Sequence, residues 1–381
     1  MRYFNLFYKK KLKTSIISLL IIYISANLLN LYGDLLPSNF VFFNRVFVVI
    51  IFIFLFYQII LNKNKILVPG YIGLFLFITY SIILFITHGM SLYSSYYALG
   101  IVYNYIGFLI IINLIRSKTD LKIFGFIYLL FVGLGCFIYM YKWFMLGNWG
   151  VLRPSNFAVT GGNINANIVS SLMVICILIF ENLSKGLEKK WNILLYLFYF
   201  IFIIGIFGLG SRFMSMIITL FLFISIYNKL QFKYLLLLFS IFTFIVFIYI
   251  SDLVMLFSEI KVVFRILNSG IESDRLLDLI TNTNYFLESP FFGQNIEKIF
   301  ITNDQKISHV VYLNYLVEGG LFGYFFLFIL FYSIFKQKIL SIDYIGLMFL
   351  IFWFLFYFWS PSYFIMLVPV SYVYLINNLK T

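Results

Sequence analysis

Long apolar runs dominate the sequence, and their length limits what the chain can fold into. A helix needs about 17 to 25 mostly apolar residues to cross a bilayer. Runs of this kind recur at 15–31, 41–61, 67–87, 95–115, 123–146, 164–180, 192–210, 211–228, 234–250, 309–335, 341–359 and 361–378. The pattern predicts an all-α polytopic integral membrane protein with about 12 transmembrane helices.

The composition supports this prediction and argues against a nucleic-acid-binding protein. Hydrophobic residues make up 63% of the 381-residue chain and charged residues only 11%, so a soluble core of this size would not hide the apolar surface. The net charge is +13, but Lys and Arg lie in short segments between apolar runs, where they act as topology signals. We therefore expect no nucleic acid as a partner.

The distribution of Lys and Arg predicts the orientation. If the N-terminus is cytoplasmic, 18 of the 27 Lys and Arg residues fall in cytoplasmic segments, as the positive-inside rule requires. Both termini are then cytoplasmic. The basic N-terminal segment lacks a small-x-small cleavage site, so we expect a first membrane anchor there. The nine basic residues on the outer side are Arg45, Lys142, Arg153, Arg212, Lys261, Arg265, Arg275, Lys298 and Lys306.

We expect residues 1–381 to form a single transmembrane domain with two long outer segments. Residues 147–163 form the smaller segment, and 251–308 form one large outer loop between spans 9 and 10, with short helices on the membrane face. Cys136 and Cys176 both lie in apolar runs, which favours buried thiols over a disulfide. The chain contains no Cys/His spacing typical of a metal site.

Four groups at the predicted outer surface depart from the positive-inside pattern: Arg153, Arg212, Arg275 and His309. A shared anionic ligand such as a diphosphate would explain them, because the planar guanidinium binds phosphate oxygens in a bidentate manner. Arg212 follows a tight turn and begins a helix, where free amide groups also favour an anion. The alternative is that each arginine is solvated, or paired with a lipid phosphate or a loop carboxylate.

Polar groups near two helix starts are further candidates. Asn163, Asn165 and Asn167 would either cap a helix or donate hydrogen bonds to sugar hydroxyls. His309 precedes a hydrophobic helix and would act as a general base, because a histidine titrates near neutral pH; the alternative is a histidine that contacts water and head groups. His88, in a short loop, has the character of a structural residue.

Glu318 lies inside the predicted span 309–335, where an ionisable group is costly and normally faces protein or a water-filled cavity. We expect it to orient a partner helix or an arginine. Tyr312 projects to the same side of the helix as His309. The glycines of this stretch would allow another helix to approach closely: Gly319, Gly320 and Gly323.

Four segments in this order resemble the O-antigen polymerase and O-antigen ligase family of bacterial membrane glycosyltransferases. They are RPSNFAVTGGNINAN, GLGSRFMSM, DRLLDLITNTNYFLESPFFGQN and SHVVYLNYLVEGGLFG, and they cover roughly residues 150–325. Family members have an Arg before a Gly/Asn-rich helix start, an S-R pair at a hairpin, an Arg followed by P-x-x-G in a large outer loop, and a His before Y-L-x-x-x-x-E-x-G-x-x-G. The loop motif here reads GQN where the family often has G-x-G.

The resemblance implies an enzyme of the bacterial cytoplasmic membrane with its active site on the extracytoplasmic side. The donor and the acceptor would be glycans linked to undecaprenyl diphosphate, without a cofactor or metal, and flippase and chain-length regulator proteins would be further partners. It assigns the diphosphate to Arg212 and Arg275 with help from Arg153, the acceptor hydroxyl to His309, and a supporting role to Glu318. We expect Tyr312, Asn163 and Asn167 to contribute to substrate binding.

Three functions remain open from the sequence. The first is a polymerase that joins repeat units into O-antigen, capsule or another surface polysaccharide. The second is a ligase of the same family that transfers glycan to lipid A core. The third is a lipid-linked oligosaccharide flippase or other transporter, which should have ionisable groups near mid-membrane and two related halves.

Overall fold

A computed structural model gives the architecture of about half the chain. It describes residues 50, 53–57, 60, 66–88, 92–145, 166–184, 189–209, 214–215, 217–222, 282–295, 311–335, 346 and 363–378. Of these residues 90% are helical, and none of them forms a strand. The helices are α1 (Tyr71–His88), α2 (Leu92–Leu114), α3 (Lys118–Tyr128), α4 (Leu134–Met145), α5 (Ala166–Ser184), α6 (Lys189–Gly208), α7 (Val311–Phe335) and α8 (Tyr363–Asn378).

Three stretches within the described residues are long and apolar enough to cross a membrane: Tyr71–His88, Lys118–Met145 and Tyr315–Ile334. The second joins α3 to α4 through a π-helical turn, Leu129–Gly133. Shorter apolar helices lie at Asn104–Leu114, Ile168–Ser184 and Leu197–Gly208. The described part of the chain is therefore helical and apolar, as a multi-pass membrane protein would be. The number of 12 spans stays a prediction, because many of the runs lie outside the described residues.

The described residues divide into two compact units. The first unit takes its residues from Ile50–Ile123 and Glu272–Thr381, and the second unit from Phe124–Ile271. The first unit contains α1, α2, α7 and α8, together with a short helix at 282–288. Its two main helix pairs are α1 with α7 and α2 with α8.

A glycine allows α1 and α7 to approach closely. A Cβ atom on Gly73 would lie 2.6 Å from the Cα of Leu330 and 2.9 Å from its backbone nitrogen. Contacts this short do not occur with real side chains, so the two backbones meet only because position 73 has no side chain. Close approach through small residues is the usual way in which helices pack in a bilayer.

The residues before α1 are held by α2. The side chain of Asn113 accepts a hydrogen bond from the Leu67 backbone nitrogen and donates one to the Leu67 carbonyl, both at 2.8 Å. Tyr105 donates to the carbonyl of Pro69 at 2.8 Å. The Arg116 guanidinium donates to the side-chain oxygen Oδ1 of Asn113 at 2.8 Å. The bonds from Asn113 and Tyr105 supply partners for the backbone of Leu67 and Pro69, which precede the helix.

The second unit is built around α5, whose residues from Val169 to Ile179 are all buried. Cys136 of α4 and Cys176 of α5 are buried free thiols, which confirms the prediction from their apolar surroundings. Glu181 of α5 is also buried and accepts a hydrogen bond from the hydroxyl of Tyr199 in α6. No sequence pattern indicated this pair, because Glu181 sits at the end of an apolar run like any exposed helix-end carboxylate.

Gly73→Ala should destabilise the protein, because its Cβ would meet the α7 backbone rather than a side chain that can move. The expected loss is about 1–3 kcal/mol, as for other overpacked sites, and a lower midpoint of thermal unfolding in detergent would report it. Gly133→Ala is the matched control, since its nearest atom would be the Cζ of Phe202 at 3.7 Å, an ordinary contact. Equal midpoints for the two variants would contradict the close approach of α1 and α7.

Candidate functional site

The candidate site is built around a break in α7. Gly320 has φ 60° and ψ −165°, which is not helical, so α7 consists of two halves that meet at this residue. A residue with a Cβ atom rarely adopts a positive φ, and glycine does so without steric cost. The break interrupts the hydrogen-bond ladder of a helix that is apolar enough to cross a membrane.

A loop fills the gap that the break leaves. The backbone nitrogen of Leu321 donates to the carbonyl of Pro290 at 2.8 Å, and that of Phe322 to the carbonyl of Phe291 at 3.2 Å. In the other direction, the nitrogen of Gln294 donates to the carbonyl of Val317 at 2.9 Å. Residues 289–295, here called the capping loop, thus provide partners for both halves of α7.

The junction leaves no room for side chains at two glycines. Gly293, in the capping loop, has φ 72°, and a Cβ there would lie 2.2 Å from the carbonyl oxygen of Glu318. A Cβ on Gly320 would lie 2.3 Å from the carbonyl oxygen of Phe291. Glycine is therefore required at both positions for two reasons: the positive φ and the close contact with the facing backbone.

The capping loop is tied down by its own polar side chains. The Ser289 hydroxyl donates to the carbonyl of Gly293 at 2.8 Å, and the Gly293 nitrogen donates back to the carbonyl of Ser289 at 3.0 Å. Gln294 donates through its side chain to the carbonyl of Tyr285 in the short helix. Asn295 donates to the carbonyl of His88, the last residue of α1, at 2.9 Å. The loop is thereby fixed to both its own helix and α1.

Tyr80 of α1 supports the break from the other side. Its hydroxyl is buried and donates to the carbonyl of Gly319 at 2.7 Å. Its ring packs against Phe326 of α7, with the ring centroids 5.2 Å apart. One turn earlier on α1, Phe77 stacks on Tyr315 at 5.7 Å. An aromatic contact surface between α1 and α7 therefore surrounds the irregular backbone.

Glu318 lies two residues before the break and is only 4% exposed. A carboxylate in such an apolar setting needs a compensating partner or a proton, which is why ionisable groups inside spans usually have a functional or orienting role. Its backbone carbonyl is the group that Gly293 contacts. Glu318 therefore belongs to the junction through its backbone carbonyl and places its side chain beside it.

The three glycines of this stretch have different roles, which corrects one prediction. Gly323 is approached by α1 as expected, since a Cβ there would lie 3.1 Å from the Cε1 of Tyr80. Gly319 would accept a Cβ at ordinary distances from Tyr315 and Leu84. Gly320 does not serve helix packing, because the backbone of the capping loop occupies the space that its side chain would take. Glycine spacing alone does not separate a helix contact from a loop contact.

The predicted site residues are described unequally. Glu318 is described with its side chain, whereas Asn167 and Tyr312 are described only by their backbone positions in α5 and α7. The others lie outside the described residues: Arg153, Asn163, Arg212, Arg275 and His309. Their convergence on one site stays a prediction.

The structure brings two of the motif segments together and adds Tyr80, which the sequence did not indicate as part of a site. The P-x-x-G segment, Pro290–Gly293, and the E-x-G-x-x-G segment, Glu318–Gly323, contact one another directly through the junction. The glycines present in both segments were the sequence signal that the two backbones could approach closely. Tyr80 had no such signal, because it is one of 30 tyrosines in the chain.

Comparisons with protein-family models, curated proteins and solved structures gave no match to the chain. Within the described residues, no group of three or more His, Cys, Asp or Glu side chains is arranged to hold a metal ion. Glu318 is a buried ionisable side chain in the described part of the site.

Gly320→Ala should disrupt the junction. The new side chain would have to adopt φ 60° and ψ −165°, a conformation essentially restricted to glycine, at a cost of about 1–3 kcal/mol, and would also displace the Phe291 carbonyl. We expect a lower midpoint of thermal unfolding in detergent and the same effect from Gly293→Ala. Gly319→Ala is the adjacent control, since its closest contact would be 3.6 Å. A Gly320→Ala variant as stable as Gly319→Ala would rule out the break.

Tyr80→Phe should remove one hydrogen bond without changing the packing of the ring. The carbonyl of Gly319 would then be left buried without this donor, at an expected cost of about 1–3 kcal/mol. Thermal unfolding of the purified protein measures the effect. Tyr71→Phe, at an exposed position of the same helix, should leave the midpoint unchanged. Equal midpoints for both variants would mean that Tyr80 does not support the break.

Proposed function

We propose that the protein is a membrane glycosyltransferase that polymerises oligosaccharide repeat units linked to undecaprenyl diphosphate. The observation that carries the proposal is the junction between the capping loop and α7. Two of the four segments that resemble the O-antigen polymerase and ligase family, which end at Asn295 and begin at Ser308, interlock through three backbone hydrogen bonds. Contact between two such segments supports a common role in one site.

The proposed reaction uses His309 and Arg275, which lie near the junction in sequence, together with Arg212 and Arg153. The oxygen of an acceptor hydroxyl attacks the anomeric carbon of the donor glycan, and the bond from that carbon to the diphosphate oxygen breaks. His309, two residues before α7 begins, takes the proton of the hydroxyl. Arg212 and Arg275, with Arg153, bind the diphosphate and stabilise the charge that develops on the leaving group.

Glu318 has a supporting role in this proposal. It lies nine residues after His309 on the same segment, and the junction fixes its backbone. A buried carboxylate at this depth would hold a cationic partner, such as one of the arginines, in the orientation that the diphosphate requires. The cost of burying the charge is then offset by that pairing.

A transporter is the second candidate, because broken helices with buried ionisable groups are typical of secondary transporters. In such proteins, however, the ends of the half-helices bind the substrate or the coupling ion. Here the Leu321 and Phe322 nitrogens and the Val317 carbonyl already have partners in the capping loop. The backbone groups that a transporter would use are occupied, which favours the enzyme. A ligase that uses lipid A core as acceptor shares the same chemistry and differs only in the acceptor.

The two catalytic side chains can be tested in a strain that lacks the gene. Complementation with His309→Ala or Arg275→Ala should leave single-repeat glycans, whereas the unchanged gene restores a ladder on a gel. His88→Ala and Arg45→Ala are matched controls at the same predicted membrane face, and they should restore the ladder. All variants are compared at equal protein levels.

The alternatives give different gel patterns. A deletion strain that accumulates lipid-linked polymer without attachment would identify a ligase. A deletion strain in which lipid-linked single repeats stay on the cytoplasmic side would identify a flippase. A full ladder from both His309→Ala and Arg275→Ala would refute the proposed site.

A further inference from the structure

The capping loop extends along α1 from the end of that helix toward its middle. Asn295 bonds to His88, the last residue of α1. The break that the loop fills is bonded to Tyr80, near the midpoint of α1, which runs from Tyr71 to His88. Eight residues of α-helix separate the two positions, a rise of about 12 Å. Since α1 is a candidate membrane span, the two contacts lie at different membrane depths.

The deeper part of the loop carries aromatic side chains that the protein does not cover. Phe291 is 57% exposed and Phe292 is 61% exposed. Both contact Phe322 of α7, with ring centroids 6.3 Å and 5.3 Å apart, and Phe322 itself is 41% exposed. Three clustered phenylalanines facing water would be costly, so something apolar must cover this surface.

The position of Phe322 indicates what covers the cluster. Phe322 belongs to Tyr315–Ile334, the part of α7 that is apolar enough to span a membrane. Leu321, Phe325 and Phe328 of the same helix are also exposed, so the cluster is continuous with the apolar surface of a span. The exposed surface of such a span contacts lipid acyl chains.

We propose that the capping loop is a re-entrant segment, which enters the bilayer beside α7 and presents Phe291 and Phe292 to the acyl chains of membrane lipids. Irregular backbone at membrane depth is tolerated only where protein supplies its hydrogen bonds. The bonds between the capping loop and α7 supply such partners to both chain segments: to the Pro290 and Phe291 carbonyls and the Gln294 nitrogen of the loop, and to three backbone groups of α7. Part of the segment expected on the membrane face is therefore inside the membrane. This inference does not depend on the proposed reaction.

Site-directed spin labelling tests the proposal on the full-length protein in phosphatidylcholine vesicles. A nitroxide is attached to Phe292→Cys, and its collisions with oxygen, which partitions into lipid, are compared with those with a water-soluble nickel chelate. Phe328→Cys, exposed on α7, is the lipid reference, and Asn284→Cys, exposed on the short helix 282–288, is the matched polar position. The parent protein reports background labelling, which should be small because Cys136 and Cys176 are buried.

The proposal predicts that the oxygen-to-nickel ratio at position 292, like that at position 328, is several-fold higher than that of the free label in buffer. Phe291→Cys gives an independent reading, which also serves if the variant at position 292 does not fold. Ratios at both loop positions equal to that of the free label would overturn the proposal. They would mean that the aromatic cluster lies in water or against a soluble partner.

Discussion

Every backbone polar group inside a bilayer must find its partner within the protein, and this requirement governs the first unit. A straight helix meets it alone, but α7 is broken at Gly320 and cannot. The missing partners come from the capping loop and from Tyr80. The break, the loop and the contact with α1 are therefore a single structural feature, because none of the three satisfies its hydrogen bonds without the others.

This dependence explains why glycines and small polar residues, rather than ionisable ones, hold the junction together. Two backbones approach within hydrogen-bond distance on both sides of the break, and only glycine fits where they meet, at positions 293 and 320. Polar side chains of the loop, such as Ser289 and Asn295, bond to backbone carbonyls rather than to each other. The junction thus fixes the geometry of the site and leaves its own side chains little scope for chemistry.

The sequence predicted the features that follow from composition and burial. Apolar runs indicate helices because the cost of unpaired backbone in lipid is large, and the apolar surroundings of Cys136 and Cys176 indicate buried thiols. The cost of a charge inside a span likewise led us to expect that Glu318 would face protein, and it is buried.

The helix break and its partner loop were not predictable in the same way. Hydropathy reports whether a residue suits lipid but not whether the helix is continuous, so the run from 309 to 335 gives no sign of an interruption. Gly319, Gly320 and Gly323 are equivalent in the sequence, and only the tertiary contact with Phe291 distinguishes Gly320 from the others. Long-range backbone pairing of this kind leaves no periodic signal, and the role of Tyr80 depends on the same pairing.

The glycines and polar side chains of the capping loop hold the backbone junction together, which limits the residues that are available for chemistry. If the glycines and polar loop residues are committed to the backbone junction, the proposed reaction must rely on other side chains. Among the residues that the structure describes, Glu318 places a buried carboxyl group beside the junction, since its backbone carbonyl contacts Gly293. Any shift of the capping loop would therefore move the backbone that carries this carboxylate. The hydrogen bonds of the junction fix the backbone on both sides of this buried carboxyl group, which is what an orienting group requires.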